Sequence, residues 1–338
     1  MIATRLMRTP RAAHMRVALL ALVAAACSPD RILEVEDIDV ALPPSIQGAE
    51  ALPSLLAGAI GDFGTAYNGG VQSSGLALDL NQVTLSGLIS DELINTETFP
   101  TRIEVDQRQQ QYQSNGSLRD AYYAIQQARR SADRANEGYI EFGANELGRA
   151  EAHNLSALSL ILMAENYCGA VPISRQTSPG VFEYGEALTT TELLRLALAK
   201  ADTALAHARA TTTTGTTAAK AAQERLARIV RARAYLNLDV PDSAGMNLGE
   251  AQVPTTYQYF FKHSEVTGRQ NNGTWATISS VARFGVPQME GGNGLPFRAE
   301  GDTAGTVDDP RIMNFRRGGA GLGFDGATQQ WVVGKHNK

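Results

Sequence analysis

Apolar positions recur at helical spacing through the middle of the chain. Ala121, Ile125, Ala128, Ala132 and Ala135 fall at steps of four and three, which places them on one face of a helix. Ser117 and Asp120 form an S-x-x-D capping signal ahead of that face. Residues 146–167 follow, with Asn145 placed to cap them. Their middle, NLSALSLILMAE, is apolar nearly all round. This pattern predicts a buried central helix, stopped by Gly169. Leu194, Leu198, Ala201, Leu205 and Ala208 repeat the stripe behind a Thr189/Glu192 capping box. Leu226, Ile229, Val230 and Ala234 mark a fourth helix, flanked by Arg225, Arg228, Arg231 and Arg233. Two helix pairs are therefore expected, 118–137 with 146–168 and 191–210 with 218–238. Alanine-rich pairs in series are the pattern of tetratricopeptide-type packing, although the consensus of that repeat is not visible.

The flanking regions are less regular. A short helix is expected over 48–63 and another over 76–94, with loops at Gly69-Gly70 and Ser73-Ser74-Gly75. The low-complexity run TTTTGTTAAKAA, 211–222, reads as a connection leading into a helix start. Residues 239–254 read as a turn and one short helix. Beyond Pro254 the composition turns to Gly, Asn, Thr and aromatics, with TTYQYFF and QQWVVG as candidate strands. The fold class is thus mainly α: tetratricopeptide-like helix pairs, a long irregular loop-rich C-terminal region and minor β. The body spans 48–338, and 255–338 is its expected ligand-facing part, since long irregular segments in compact proteins are often functional.

The first residues change the picture. Arg5, Arg8, Arg11 and Arg16 precede ten small or apolar residues, Val17 to Ala26, with no acidic residue among them. That is a secretory signal over 1–26, too short to span a bilayer as a helix. Ala24-Ala25-Ala26-Cys27 resembles a bacterial lipobox, in which Cys27 becomes the first mature residue and carries lipid; ordinary cleavage with a free cysteine is the alternative. Residues 27–47 then form a lipidated N-terminal tether in which acidic residues alternate with aliphatic ones. Cleavage before Cys27 removes four arginines and no acidic residue, taking the formal charge from −5 to −9. This is no footprint of nucleic-acid binding, which is basic and clustered. With Cys27 lipidated, Cys168 has no cysteine partner within the chain.

Catalytic and cofactor chemistry finds little support. The five histidines are scattered, and no H-E-x-x-H or C-x-x-C pattern suggests a metal. His153, on the buried helix, reads as a satisfied core residue. GLGFDG, 321–326, matches G-x-G-x-x-G but lacks the strand–turn–helix setting of a dinucleotide site. Asp91-Glu92 and Asp308-Asp309 are acidic pairs a hydrolase could use, only in the sense that any acidic pair is, and bulk solvation is the better account of them. No cofactor and no metal are expected.

Four segments, in order, carry a resemblance. CSPDRILEVEDID resembles the mature N-terminus of SusD/RagB-like lipoproteins. RAEAHNLSALSLILMAENYCGAVPIS, 149–174, is similar to that family's most recognisable segment, with Tyr167, Gly169, Val171 and Pro172 in the matching places. ERLARIVRARAYLNLDVPDSA, 224–244, resembles its later Ala-Arg-Ala-Tyr-Leu helix, and DDPRIMNF, 308–315, its Asp-Pro-Arg segment. Family members are usually longer and carry further C-terminal helices. Because this chain stops at WVVGKHNK, the resemblance implies a divergent or C-terminally truncated member. It implies a binder rather than an enzyme, lipid-anchored at the outer membrane and surface-facing. Such a protein would capture glycans or other nutrients for a SusC-like TonB-dependent transporter.

Sugars stack their C–H faces on aromatic rings and bond their hydroxyls to amides and carboxylates. That chemistry selects Trp275 in NNGTWATIS, beside Asn271 and Asn272, and then Tyr257, Tyr259 and Tyr67. Two other functions stay open: a tetratricopeptide-like scaffold lipoprotein of envelope assembly, and an exported glycan hydrolase.

Overall fold

The computed structural model describes residues 48–70, 80–109, 114–143, 145–167, 169–178, 181–249, 252–264, 266, 270–287, 314–316 and 321–333. The signal segment, Cys27, the tether, Cys168 and Asp308-Asp309 lie outside them.

Helix α1 (Leu52–Asn68) opens with Pro53 in its first turn, where a missing N–H costs no intrahelical bond. Gly69, at φ 75°, ends it. Helix α2 (Gln82–Ile89) starts in a full capping box, with Asn81 and Thr84 each accepting from the other's backbone N–H. Strand β1 (Ile94–Asn95) and helix α3 (Pro100–Asp106) lead to α4 (Gly116–Phe142) and α5 (Glu146–Asn166). The connection between α4 and α5 is so short that the two must run antiparallel. They approach closely there: a Cβ on Gly148 would sit 2.3 Å from Tyr139 Cζ. Small strands β2 (Val171–Pro172), β3 (Arg175–Ser178), β4 (Val181–Glu183) and β5 (Ala187–Leu188) precede α6 (Thr190–Ala210), α7 (Thr217–Asn237) and α8 (Pro241–Asn247).

The helical layer follows the apolar stripes. Helix α5 packs against α4, α6 and α7, while α1 covers α4 and reaches α5. Ala128, Ala132, Leu155, Ile161, Ala197, Ala201 and Val230 are all fully enclosed in one cluster. Each large aliphatic in it contributes about 1.5–3 kcal/mol by leaving water. Fourteen of the 21 residues of α5 are buried, so the nearly all-apolar run does form the central helix.

The described β structure is made of two-stranded antiparallel ladders. Ile94 and Asn95 pair with β6 (Phe284–Gly285), β2 with β5, β3 with β4, and β7 (Asn314–Arg316) with β8 (Trp331–Val333). Leu85, Leu88, Leu93, Phe284, Val286 and Trp331 form a second core around β1, β6 and β8.

Four expectations need correction. The first helix starts where expected, through a 3-10 turn over Ala49–Ala51, but runs on past 63 to Asn68, where Gly69 at positive φ ends it. The helix expected over 76–94 is present over Gln82–Ile89; residues 71–79 lie outside the described set. TTYQYFF forms no ladder: Tyr257, Tyr259 and Phe261 alternate because the extended chain inserts every second ring against the helical core. His153 is buried at 8% exposure, but it is not satisfied, since its Nδ1 has no hydrogen-bond partner among the described residues. The QQWVVG stretch does contribute a strand, β8.

Candidate functional site

The irregular segment after Pro254 is stitched along the C-terminal half of α1. The Tyr257 hydroxyl donates to the Ala222 carbonyl at 2.8 Å and the Tyr259 hydroxyl to Glu151 Oε1 at 2.9 Å. Burial pushes the Tyr257 phenol up to about 12. Burial, then the Glu151 charge, raises Tyr259 further. Both therefore stay protonated donors at neutral pH. The Phe261 ring stacks on Phe63 with centroids 5.0 Å apart and lies 6.3 Å from Tyr67. Further along, the Thr274 hydroxyl donates to the Asn68 carbonyl at 3.0 Å. Gly273 is needed at this crossing, because a Cβ there would sit 2.7 Å from the Gly69 carbonyl carbon.

Two clefts flank this part of α1. The larger, about 560 Å³, runs along the face bearing Gly58, Gly61 and Thr65 and is closed by Phe261, Lys262, His263 and Gln270. The smaller, about 390 Å³, lies between the end of α1, helix α2 and the facing ends of α5 and α7. Asn68 Nδ2, from the smaller cleft, is 3.1 Å from His263 Nε2, from the larger. The pair separates the two volumes.

The smaller cleft has the denser polar lining. Tyr67 gives it a ring, Val83 and Leu162 an apolar patch, and Asn68, Gln82, Ser86, Glu92, Glu165, Asn166 and Arg233 its polar groups. Gln82 is 1% exposed and its amide is held on three sides. It donates to the Ala121 carbonyl and the Tyr167 hydroxyl, both at 3.1 Å, and accepts from Asn166 Nδ2 at 2.8 Å. Burial lifts the Tyr167 phenol to about 12, against the opposing Gln82 bond, so it too stays protonated. Across the cleft, Arg233 Nε meets Glu165 Oε1 at 2.8 Å and Nη2 meets Oε2 at 2.5 Å. Burial lowers the guanidinium pKa, but the Glu165 hydrogen bond and charge outweigh it, and the net shift is upward. Gln82, Asn166, Glu165 and Arg233 form a hydrogen-bonded rim that leaves Ser86 and the Asn166 carbonyl oxygen available to hydroxyls. It holds no poised nucleophile, and among the described residues no group of three or more His, Cys, Asp or Glu could hold a metal.

Of the six residues chosen from sequence, Tyr67 lines the smaller cleft. Tyr257 and Tyr259 are half-buried with their hydroxyls committed, and fix the segment that carries Phe261. Asn271 accepts from the Asn272 N–H, and Asn272 caps the turn by accepting from the Trp275 N–H at 3.1 Å. Trp275 is half-buried there; it, Asn271 and Asn272 line neither of these two clefts. The residues missed are Asn68, Gln82, Glu165, Asn166, Arg233 and His263. One signal pointed to them: Glu165-Asn166 break the apolar run of α5 at its last turn, on the same helix end as Tyr167.

No family model matches the chain, and no curated protein matches it. A search of solved structures finds the fold in a SusD/RagB family protein from Bacteroides thetaiotaomicron. The TM-score is 0.53 at 14% identity, over 70% of this chain and 49% of that one. The fold is therefore SusD/RagB-like and mainly α. This chain spans about half the length of that protein.

Proposed function

We propose that the chain is a nutrient-binding lipoprotein of the outer membrane. In this reading Cys27 holds it through lipid, and its irregular face captures glycans or related nutrients and passes them to a SusC-like TonB-dependent transporter. The observation that carries the reading is the pair of clefts beside α1, on a scaffold of SusD/RagB-like fold. A ring from Tyr67, amides from Asn68 and Asn166 and the charged pair beyond them form the mixed apolar and polar lining that saccharides require. Trp275, Asn271, Asn272, Tyr257 and Tyr259 line neither cleft and enter the proposal only as part of a wider ligand-facing surface on the segment after Pro254. No catalytic or cofactor role is assigned.

Affinity purification of the tagged lipoprotein from solubilised membranes tests this. The expected outcome is co-purification of a large barrel transporter. Recovery of envelope-assembly components alone would favour the scaffold, and release of products from a glycan panel would favour the hydrolase.

A further inference from the structure

Resting on that reading, we infer that the smaller cleft accepts uncharged saccharide units and rejects carboxylate-bearing ones, and that Glu165 sets the preference. Arg233 is the one cation among the described residues that line the cleft. An acidic sugar would need its planar fork, since bidentate pairing with a guanidinium is how proteins hold carboxylates most tightly. Glu165 already takes one edge of that fork, through Nε and Nη2, and matches its charge. Asn237 Nδ2 adds a third bond to Glu165 Oε1 at 2.7 Å, so the carboxylate is held where it is. With the Arg233 charge matched by Glu165, a ligand carboxylate entering the cleft meets no unmatched cation among its described lining residues and is repelled by Glu165.

Hydroxyls meet the opposite situation. Gln82 fixes the Asn166 amide by its nitrogen, which turns the carbonyl oxygen into a positioned acceptor. Ser86 brings an exposed hydroxyl that can donate or accept. Tyr67 supplies the ring for a C–H face. Neutral rings use all of these groups and disturb no ion pair.

The test is calorimetric titration of the full chain with gluco-, manno- and xylo-hexasaccharides, and with hexagalacturonate and hexamannuronate. At least one neutral oligomer is expected to bind tenfold or more tightly than either uronate. Glu165→Gln frees Arg233 and should raise uronate affinity tenfold or more, a gain that fades with added salt as ion pairing does. Wild-type protein that binds uronates as tightly as neutral oligomers overturns the inference, as does an unchanged ratio in the folded variant. If the variant does not fold, the wild-type ratio decides. Binding of neither class removes the nutrient-binding reading as well, so the two failures are distinguishable.

Discussion

Glu97 serves two arginines at once. Its side chain is fully enclosed and accepts from Arg102 Nε and Nη2 and from Arg283 Nη1. The guanidinium carbons lie 4.3 and 5.1 Å from the Phe99 centroid. Cations over an aromatic face gain about 0.5–2 kcal/mol, far less than it costs to bury them without a counter-charge. The consequence is a prediction for Glu97→Gln: a loss of about 3–5 kcal/mol, the range for breaking one side of a buried pair. Arg175 and Glu183 set the contrast. They are 68% and 56% exposed, and removing that pair should cost at most about 1 kcal/mol. Urea unfolding of both variants measures the difference. Equal, small losses would mean that water reaches the Glu97 cluster. None of this was legible in the sequence, because residues 97, 102 and 283 meet only once β1 has paired with β6. The smaller cleft was hidden for the same reason: Asn68, Asn166 and Arg233 come from three helices. Tyr67 was found because ring chemistry can be read one residue at a time.

At the scale of elements, the long helices were legible, as were the short α8 within 239–254 and the β8 strand, whereas α3 and most of the other strands were not. Stripes such as Ala121, Ile125 and Ala128 repeat through many turns, and packing along α4 and α5 rewards each repeat. Helix α3 has seven residues and the paired strands two to four, too few for a period to show. TTYQYFF shows what alternation does encode: an extended chain with one buried side, whether or not a partner strand exists. The central helix also carries a testable cost. His153 on α5 stacks on His207 of α6 with ring centroids 5.6 Å apart, and His207 Nδ1 lies 2.5 Å from Glu146 Oε2. Burial first, then the charges of Lys200 and His207, lower the His153 pKa from 6.5 to about 4; Asp133 on α4 opposes them and Arg149 on α5 adds to them. The folded chain therefore binds this proton less readily than the unfolded chain. Stability from this group is complete above pH 6.5 and is lost as pH falls toward 4, by an amount on the order of 3 kcal/mol. Replacing His153 with Gln should flatten the stability profile between those two values in chemical denaturation at fixed salt. A variant with the same acid slope as the parent would assign that slope to other groups.

At the scale of the whole molecule, the proposed reading needs something to keep the protein at a membrane. Among the described residues no helix is long and apolar enough to cross one. The chain after cleavage before Cys27 would carry a formal charge of −9, four arginines having left the −5 of the full sequence. Anionic lipid headgroups repel such a body, whereas polybasic segments gain about 1 kcal/mol per Lys or Arg near them. A net-negative body gives electrostatic adhesion little support, and in the proposed reading lipid on Cys27 supplies the retention. Buried acyl methylenes give about 0.8 kcal/mol each, and two chains suffice for stable anchoring. Two results should follow together. The parent should sediment with membranes in both low and high salt, because methylene burial is insensitive to screening. Cys27→Ser should appear in soluble fractions at both salt levels, with no salt step between them, since no charge attraction remains to be screened. Membrane-bound Cys27→Ser that washes off in high salt would instead reveal a basic partner surface, and the lipid assignment would fall.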